Sequence, residues 1–168
     1  MLGINVDGMR EQWRHGDEPS LRRRRRISAL CAVGLADFAV ITLYQLGVIR
    51  HLPDPPGRIF DSDKVNASRK AYATGVPDGS LGALLYAATL VLAAAGGTRR
   101  TGRPAVLGVA LGGAAAAGAV GALDYLGDMI FKERRACPYC LVGAAINLAL
   151  VPLAAREALE SIRTIRKR

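Results

Sequence analysis

The chain has 168 residues, of which 51% are hydrophobic and only 5% aromatic, and it carries a formal charge of +9. That length allows one domain, and apolar residues gathered in long blocks, rather than spaced at helix or strand period, exclude an ordinary soluble fold and point to a membrane. A charge of this size would suggest nucleic acid in a soluble protein; here the basic residues flank the apolar blocks, and topology with anionic headgroups explains them without nucleic acid.

In chain order, Met1 to Ser20 (MLGINVDGMREQWRHGDEPS) mixes charges, glycine and a single tryptophan without apolar period, which predicts a mostly disordered tail. With the arginine run Arg22 to Arg26 it makes a basic segment over residues 1–26. The first apolar block, Ile27 to Ile49, is too long for a signal-peptide core and ends in HLPDPPGRIF without an A-x-A site, so it reads as a retained span. Cys31 lies too close behind the arginines for a lipoprotein signal, and reads as a small buried apolar side chain. Asp37 and Gln45 are costly in hydrocarbon and are expected to face the interior or another chain; for Asp37 a proton path and a structural partner stand as equal readings.

A loop of about 30 residues follows, Arg50 to Gly79, long enough for a functional cap. Its PDPPG at Pro53 to Gly57 cannot be regular helix, while DSDKVNASRKAYA from Asp61 predicts a short amphipathic helix behind an Asp cap. Further apolar blocks run over 80–97, 104–123 and 137–155, so the four blocks of about 18 to 23 residues each match a bilayer core of roughly 30 Å. In the third, Gly108 and Gly112 stand four apart, and Gly113, Ala117 and Gly121 repeat the spacing, a pattern for close backbone packing. The tail REALESIRTIRKR continues the fourth helix, and Glu157 and Glu160 precede Arg163 and Arg166 at spacings that give surface support.

Arg10, Arg14, Arg22 to Arg26, Arg99, Arg100, Arg103, Arg156, Arg163, Arg166, Lys167 and Arg168 are 15 of the 23 basic residues and fall in the two tails and the second loop. The positive-inside rule then puts both termini in the cytoplasm and the loops Arg50 to Gly79 and Asp124 to Ala136 outside. The expected fold is an all-α integral membrane four-helix bundle: a basic tail over 1–26, a transmembrane domain over 27–155 and a basic tail over 156–168.

Cys137 and Cys140 open the fourth block in RRACPYCLVGAAIN. A glutaredoxin would set such a pair in a βαβ pattern, which is missing, and a zinc site needs about four ligands, whereas the chain adds only Cys31, His15 and His51. No metal is expected. Pro138 suits a first helical turn, so Cys137 falls near the cap, where unpaired N–H groups favour a thiolate, and Cys140 lies one turn deeper. The pair would separate roles by depth, with Cys137 open to a water-borne thiol partner and Cys140 aimed at a lipid-soluble acceptor.

CPYCLVGAAIN, with Asn147 seven residues after the second cysteine, resembles the fourth span of the vitamin K epoxide reductase family. VNASRKAYATGVPDGSLGALLYA (Val65 to Ala87) is similar to that family's outer loop running into helix two, and the resemblance covers Ile27 to Ala155. It implies a four-helix bundle around a quinone, menaquinone or ubiquinone, with Cys137 exchanging with a donor thiol and Cys140 reacting with the quinone. It further implies that Asp78, Asn147, Asn66 and Ser80 bind the quinone. Asp78 stands where the family has Asn; a hydrogen bond to quinone and a helix cap are its two readings. Ala144 replaces a common tyrosine, Ala67 stands where the family usually keeps one of two loop shuttle cysteines, and the loop has no second cysteine either.

The expected function is therefore a thiol:quinone oxidoreductase of the cell membrane, served by an extracytoplasmic thioredoxin-like thiol protein. The alternatives are a non-enzymatic membrane subunit whose pair is structural or vestigial, and an enzyme of the same fold running the opposite way, reducing a quinone or its epoxide with thiols.

Overall fold

A computed structural model describes residues 6–97 and 105–166. Among them there are no strands, only an isolated bridge between Phe60 and Ala136. The helices are α1 (Val6–His15), α2 (Pro19–Gln45), α3 (Ser62–Asn66), α4 (Asp78–Ala94), α5 (Ala105–Asp128) and α6 (Pro138–Arg166), with a 3-10 turn at Lys70–Tyr72 and a π-helical extension of α5 at Met129–Glu133. Among the described residues three helices are long and apolar enough to cross a membrane: Pro19–Gln45, Ala105–Glu133 and Pro138–Arg166; α4 is apolar but shorter, at 17 residues. The chain is a membrane protein by these spans.

Helix α2 packs on α4 and α6, and α5 packs on α4 and α6. The shared core holds Ile27, Cys31, Tyr86, Ala93, Leu111, Ala115, Ile146 and Leu150. The glycines of α5 divide as their surroundings dictate. A Cβ on Gly108 would stand 2.0 Å from Ser161 Oγ and one on Gly112 2.8 Å from Ala158 Cβ, so this pair brings α5 and α6 into backbone contact. Gly113 and Gly121 have no neighbour within 4 Å of such an atom, so the second small-residue row does not pack.

The N-terminal segment departs from the disordered tail expected of it, since Val6–His15 is helix. Its polar composition hid a tertiary anchor. Arg25 donates to the α1 carbonyls of Trp13 (3.1 Å) and Arg14 (2.6 Å), and Arg24 stacks on the Trp13 ring at 4.8 Å. Helix α2 likewise starts at Pro19, eight residues ahead of its apolar block, because arginine is a good helix former and hydropathy marks the span rather than the helix.

Arg24 is fully buried and donates to Ala93 O (2.6 Å), Ala94 O (3.2 Å), Ala95 O (3.0 Å) and Gly97 O (2.8 Å). A cation thus closes the negative end of α4. Arg23 pairs with Glu157 (2.8 Å) and Glu160 (2.6 Å), and Ser20 also donates to Glu157, which is 3% exposed. The two glutamates therefore bind α6 to α2, a role across helices beyond the surface support expected of them. Arg99, Arg100, Arg103, Lys167 and Arg168 lie outside the described residues.

The third loop, expected over Asp124 to Ala136, is helical as far as Glu133. Its charges are paired: Asp124 and Asp128 meet Lys70 at 2.6 and 2.8 Å, and Asp128 meets Lys132 at 2.8 Å. Arg134, in the left-handed conformation at φ 52°, ends the extension, and the chain turns into α6.

The first loop folds over this junction. Asp61 caps α3 by accepting from Lys64 N at 3.0 Å, as its sequence predicts. Asp61 N donates to Ala136 O (3.0 Å) and Ala136 N to Ile59 O (2.8 Å), which lays the loop against the residue before Cys137. Asp54 accepts from Ser62 N (2.8 Å) and Ser62 Oγ (2.6 Å), and Asp63 accepts from Leu52 N (2.9 Å) and pairs with His51.

Candidate functional site

Cys137 is the residue ahead of α6, whose first position is Pro138, and the Cys140 N–H donates to its sulfur at 3.2 Å. The expected cap geometry is therefore present. Its exposure is not as expected: Cys137 is 0% exposed, packed with Val65 of α3 and Met129 beneath the first loop. The loop helix covers the sulfur that the sequence placed in open water.

Donors surround that sulfur. Asn66, 3% exposed, donates through Nδ2 to Cys137 Sγ at 3.2 Å and to Ser62 O at 2.8 Å. Its Oδ1 accepts from the Cys140 thiol at 3.7 Å. Cys137 lies just outside the membrane-spanning helix, and its thiol is held down from an ordinary value of 9.0 to about 7. The Cys140 thiol contributes most to that, followed by the Ser62 hydroxyl, the Cys140 N–H and the Asn66 amide, all against a burial that pushes the other way.

Cys140 is less buried and lines a cavity of about 250 Å³ between the helices; Cys137 does not line it. The cavity walls are mostly apolar, with Phe38, Ile41, Leu81 and Leu85 among them, and its polar groups are Asn66, Asp78, Tyr86, Tyr125, Cys140 and Asn147. Few polar groups in an apolar cavity suit a largely apolar ligand with a few polar atoms.

Asp78 opens α4, but Pro77 occupies the cap position, and the carboxylate instead accepts from Gln45 Nε2 at 2.5 Å and from the Tyr125 hydroxyl. The cap reading of Asp78 is thereby replaced by a polar cluster on the cavity wall. Gln45 is buried, as its cost in hydrocarbon demands, and its Oε1 accepts from Gly79 N at 3.0 Å. Asn147 donates to Tyr86 Oη (2.9 Å) and Gly143 O (3.0 Å), and Tyr86 donates to Gly143 O at 3.0 Å. The close approach of Asn147 needs Gly118, where a Cβ would stand 2.3 Å from Asn147 Oδ1.

Of the residues named from sequence, Cys140, Asp78, Asn66 and Asn147 thus share the cavity, with Cys137 behind Cys140. Ser80 does not line it. Two hydroxyls were missed, Tyr86 of α4 and Tyr125 of α5. Ala144 lines the cavity without a polar group, and these tyrosines from neighbouring helices bring phenols to the same space. Tyr86 stands in the quoted LGALLYA element, so its signal was present but unread; Tyr125 follows an apolar run and carries none. Asp37 has a buried carboxyl oxygen on the side of Gly143 with no hydrogen-bond partner among the described residues.

The model of the vitamin K epoxide reductase family matches residues 26–155. The chain belongs to that family. No curated protein matches it. Membership of the vitamin K epoxide reductase family gives this membrane protein an oxidoreductase character in general terms, and the adjacent Cys137 and Cys140 are the chain's paired redox-capable side chains.

Proposed function

We propose that the chain is a thiol:quinone oxidoreductase that passes electrons from an extracytoplasmic thiol protein, through Cys137 and Cys140, to a quinone in the membrane. The observation that carries this reading is the division of the pair: Cys140 opens on the apolar cavity, while Cys137 lies on the loop side of the same turn. In this reading α4 crosses the cell membrane with the three longer helices, completing a four-helix bundle over 27–155, and the basic tails 1–26 and 156–168 remain cytoplasmic. The thiol pair then faces outward, where disulfides persist.

The cavity fits a quinone head group in composition, with apolar walls and hydrogen-bonding groups at Asp78, Tyr125 and Asn147 that would hold it, and menaquinone or ubiquinone bound there would supply an acceptor for two electrons and two protons. A thioredoxin-like dithiol would reduce the Cys137–Cys140 disulfide by attack on Cys137, with Cys140 leaving, and would itself end as a disulfide. Re-forming the bond would join the Cys137 and Cys140 sulfurs and release two electrons and two protons, one from the Cys140 thiol and one given up to water as Cys137 forms its thiolate, which a quinone held in the cavity would take up. Because Cys137 is covered, the first loop must open for the donor and can close for the second half.

The same cover, with Ala67 in place of a shuttle cysteine, favours the second reading, a non-enzymatic subunit with an inert pair. The thiolate-favouring surroundings of Cys137 weigh against inertness. The test is purified protein with a reduced thioredoxin-like donor and menaquinone or ubiquinone, followed by quinone absorbance. Turnover that is lost in Cys140→Ala supports the enzyme; no turnover with any donor or quinone overturns it.

A further inference from the structure

Asn66 is the residue that touches both sulfurs. Its two amide hydrogens go to Ser62 O (2.8 Å) and Cys137 Sγ (3.2 Å), and its oxygen receives the Cys140 thiol (3.7 Å). The Ser62 carbonyl decides which way the amide faces. Turning it over would set two oxygens against each other at Ser62 and withdraw the acceptor from Cys140. The backbone of Asn66 is fixed as well, since its carbonyl accepts from Gln45 Nε2 (3.2 Å), the amide that also holds Asp78.

We propose that Asn66 is a positioning residue for the thiol pair, which favours the charged state at Cys137 and ties both sulfurs to the closed first loop. This rests on reading the pair as redox-active, and it moves Asn66 from quinone binding to sulfur chemistry. A donated N–H stabilises a thiolate at Cys137 more than a thiol. The polarity matches the closing step, in which Cys137 must be the nucleophile. Position 66 precedes Ala67, so the loop of this chain reaches the pair with a hydrogen-bonding amide one residue before the place where the family resemblance leads one to look for a cysteine.

The test uses the full chain in detergent in a Cys31→Ala background and follows thiolate ultraviolet absorbance against pH. Asn66→Asp keeps the shape and the acceptor but cannot donate to Cys137. The first midpoint is expected to rise by about one pH unit, a loss of about tenfold in thiolate at fixed pH below the midpoint, and Asn66→Ala is expected to move it the same way. A midpoint that stays in place in either variant, with thermal melting as in the parent, overturns the proposal. Should both variants fail to fold, the side-chain amide protons of Asn66 in the unsubstituted chain give the answer by nuclear magnetic resonance. One of them must shift with the first thiol titration, and resonances fixed through it overturn the proposal. Neither readout involves a quinone or a donor thiol, so absence of turnover removes the enzyme reading without touching this result, and an unmoved midpoint removes this assignment without touching turnover.

Discussion

Cys31 and Cys137 are both 0% exposed, and the regions around them differ in kind. Cys31 sits among Ile27, Tyr86, Ala93 and Leu111 in the shared helical core. Cys137 sits where a loop helix meets a helix start, and Asn66 and the Cys140 N–H both donate to its sulfur. Burial by itself therefore says little about a thiol; what matters is whether the groups that exclude water also supply hydrogen bonds to the charged form. The two ends of the molecule repeat the lesson. Around Arg23, Arg24 and Arg25 the buried polar groups satisfy one another in caps and ion pairs, whereas at the thiol end they converge on sulfur and on a cavity.

The comparison breaks most directly through turnover. Cys137→Ser and Cys140→Ser are each expected to reduce quinone reduction by the donor thiol to the uncatalysed background, while Cys31→Ala retains it; an assay in which Cys31→Ala is equally dead would erase the distinction between the two regions. Next in size, Asp78→Ala or Tyr125→Phe, by removing one hydrogen bond on the cavity wall, should lower kcat/KM for quinone by about tenfold, about 1.4 kcal/mol, in steady-state kinetics. A similar loss is expected in stability when Cys31→Ser puts a hydroxyl into the apolar core, about 1 to 3 kcal/mol by denaturation in detergent.

Cys137 gives the comparison a pH dependence with a definite sign. Its thiol value is depressed from 9.0 to about 7, so the stabilisation of its thiolate is fully present above 9 and is lost as pH falls through about 7. Melting temperature should fall across that window, and Cys137→Ser should flatten the fall, whereas Cys31→Ala should leave it intact. Loop cover is a smaller effect: Asp54→Ala, which frees Ser62 N and Oγ from their loop partner, should speed alkylation of Cys137 by several-fold, read by mass spectrometry, as local opening becomes easier. Smallest is His51, exposed, whose value is raised chiefly by its hydrogen bond to Asp63. That contact is fully present below the ordinary value of 6.5 and lost as pH rises through the raised one, so Leu52 amide exchange should lose its His51-dependent protection there, measured against His51→Asn.

Much of the architecture was legible because a bilayer imposes its demands on the sequence directly. The apolar blocks marked the helices, PDPPG marked a loop, Asp61 marked a cap, and the C-x-x-C with its neighbouring motifs marked the family and its cysteine pair. Helix ends were less legible. Hydropathy reports what lies in hydrocarbon, while Arg22 to Arg26 at one end and Asp124 to Glu133 at another extend helices beyond it. Polar partners were least legible, since Arg23 finds Glu157 and Tyr125 finds Asp78 across separations that carry no local pattern.

By itself, then, the sequence determined that the chain is helical, that it belongs in a membrane, and that two cysteines stand at a helix start, because these follow from composition, periodicity and spacing along the chain. Only the tertiary structure decided that Cys137 is covered, that Asn66 reaches both sulfurs, and that Asp78 joins Gln45 and Tyr125 beside the cavity. Those facts depend on which surfaces of distant helices meet, and a contact between residues tens of positions apart is set by the packing of the whole.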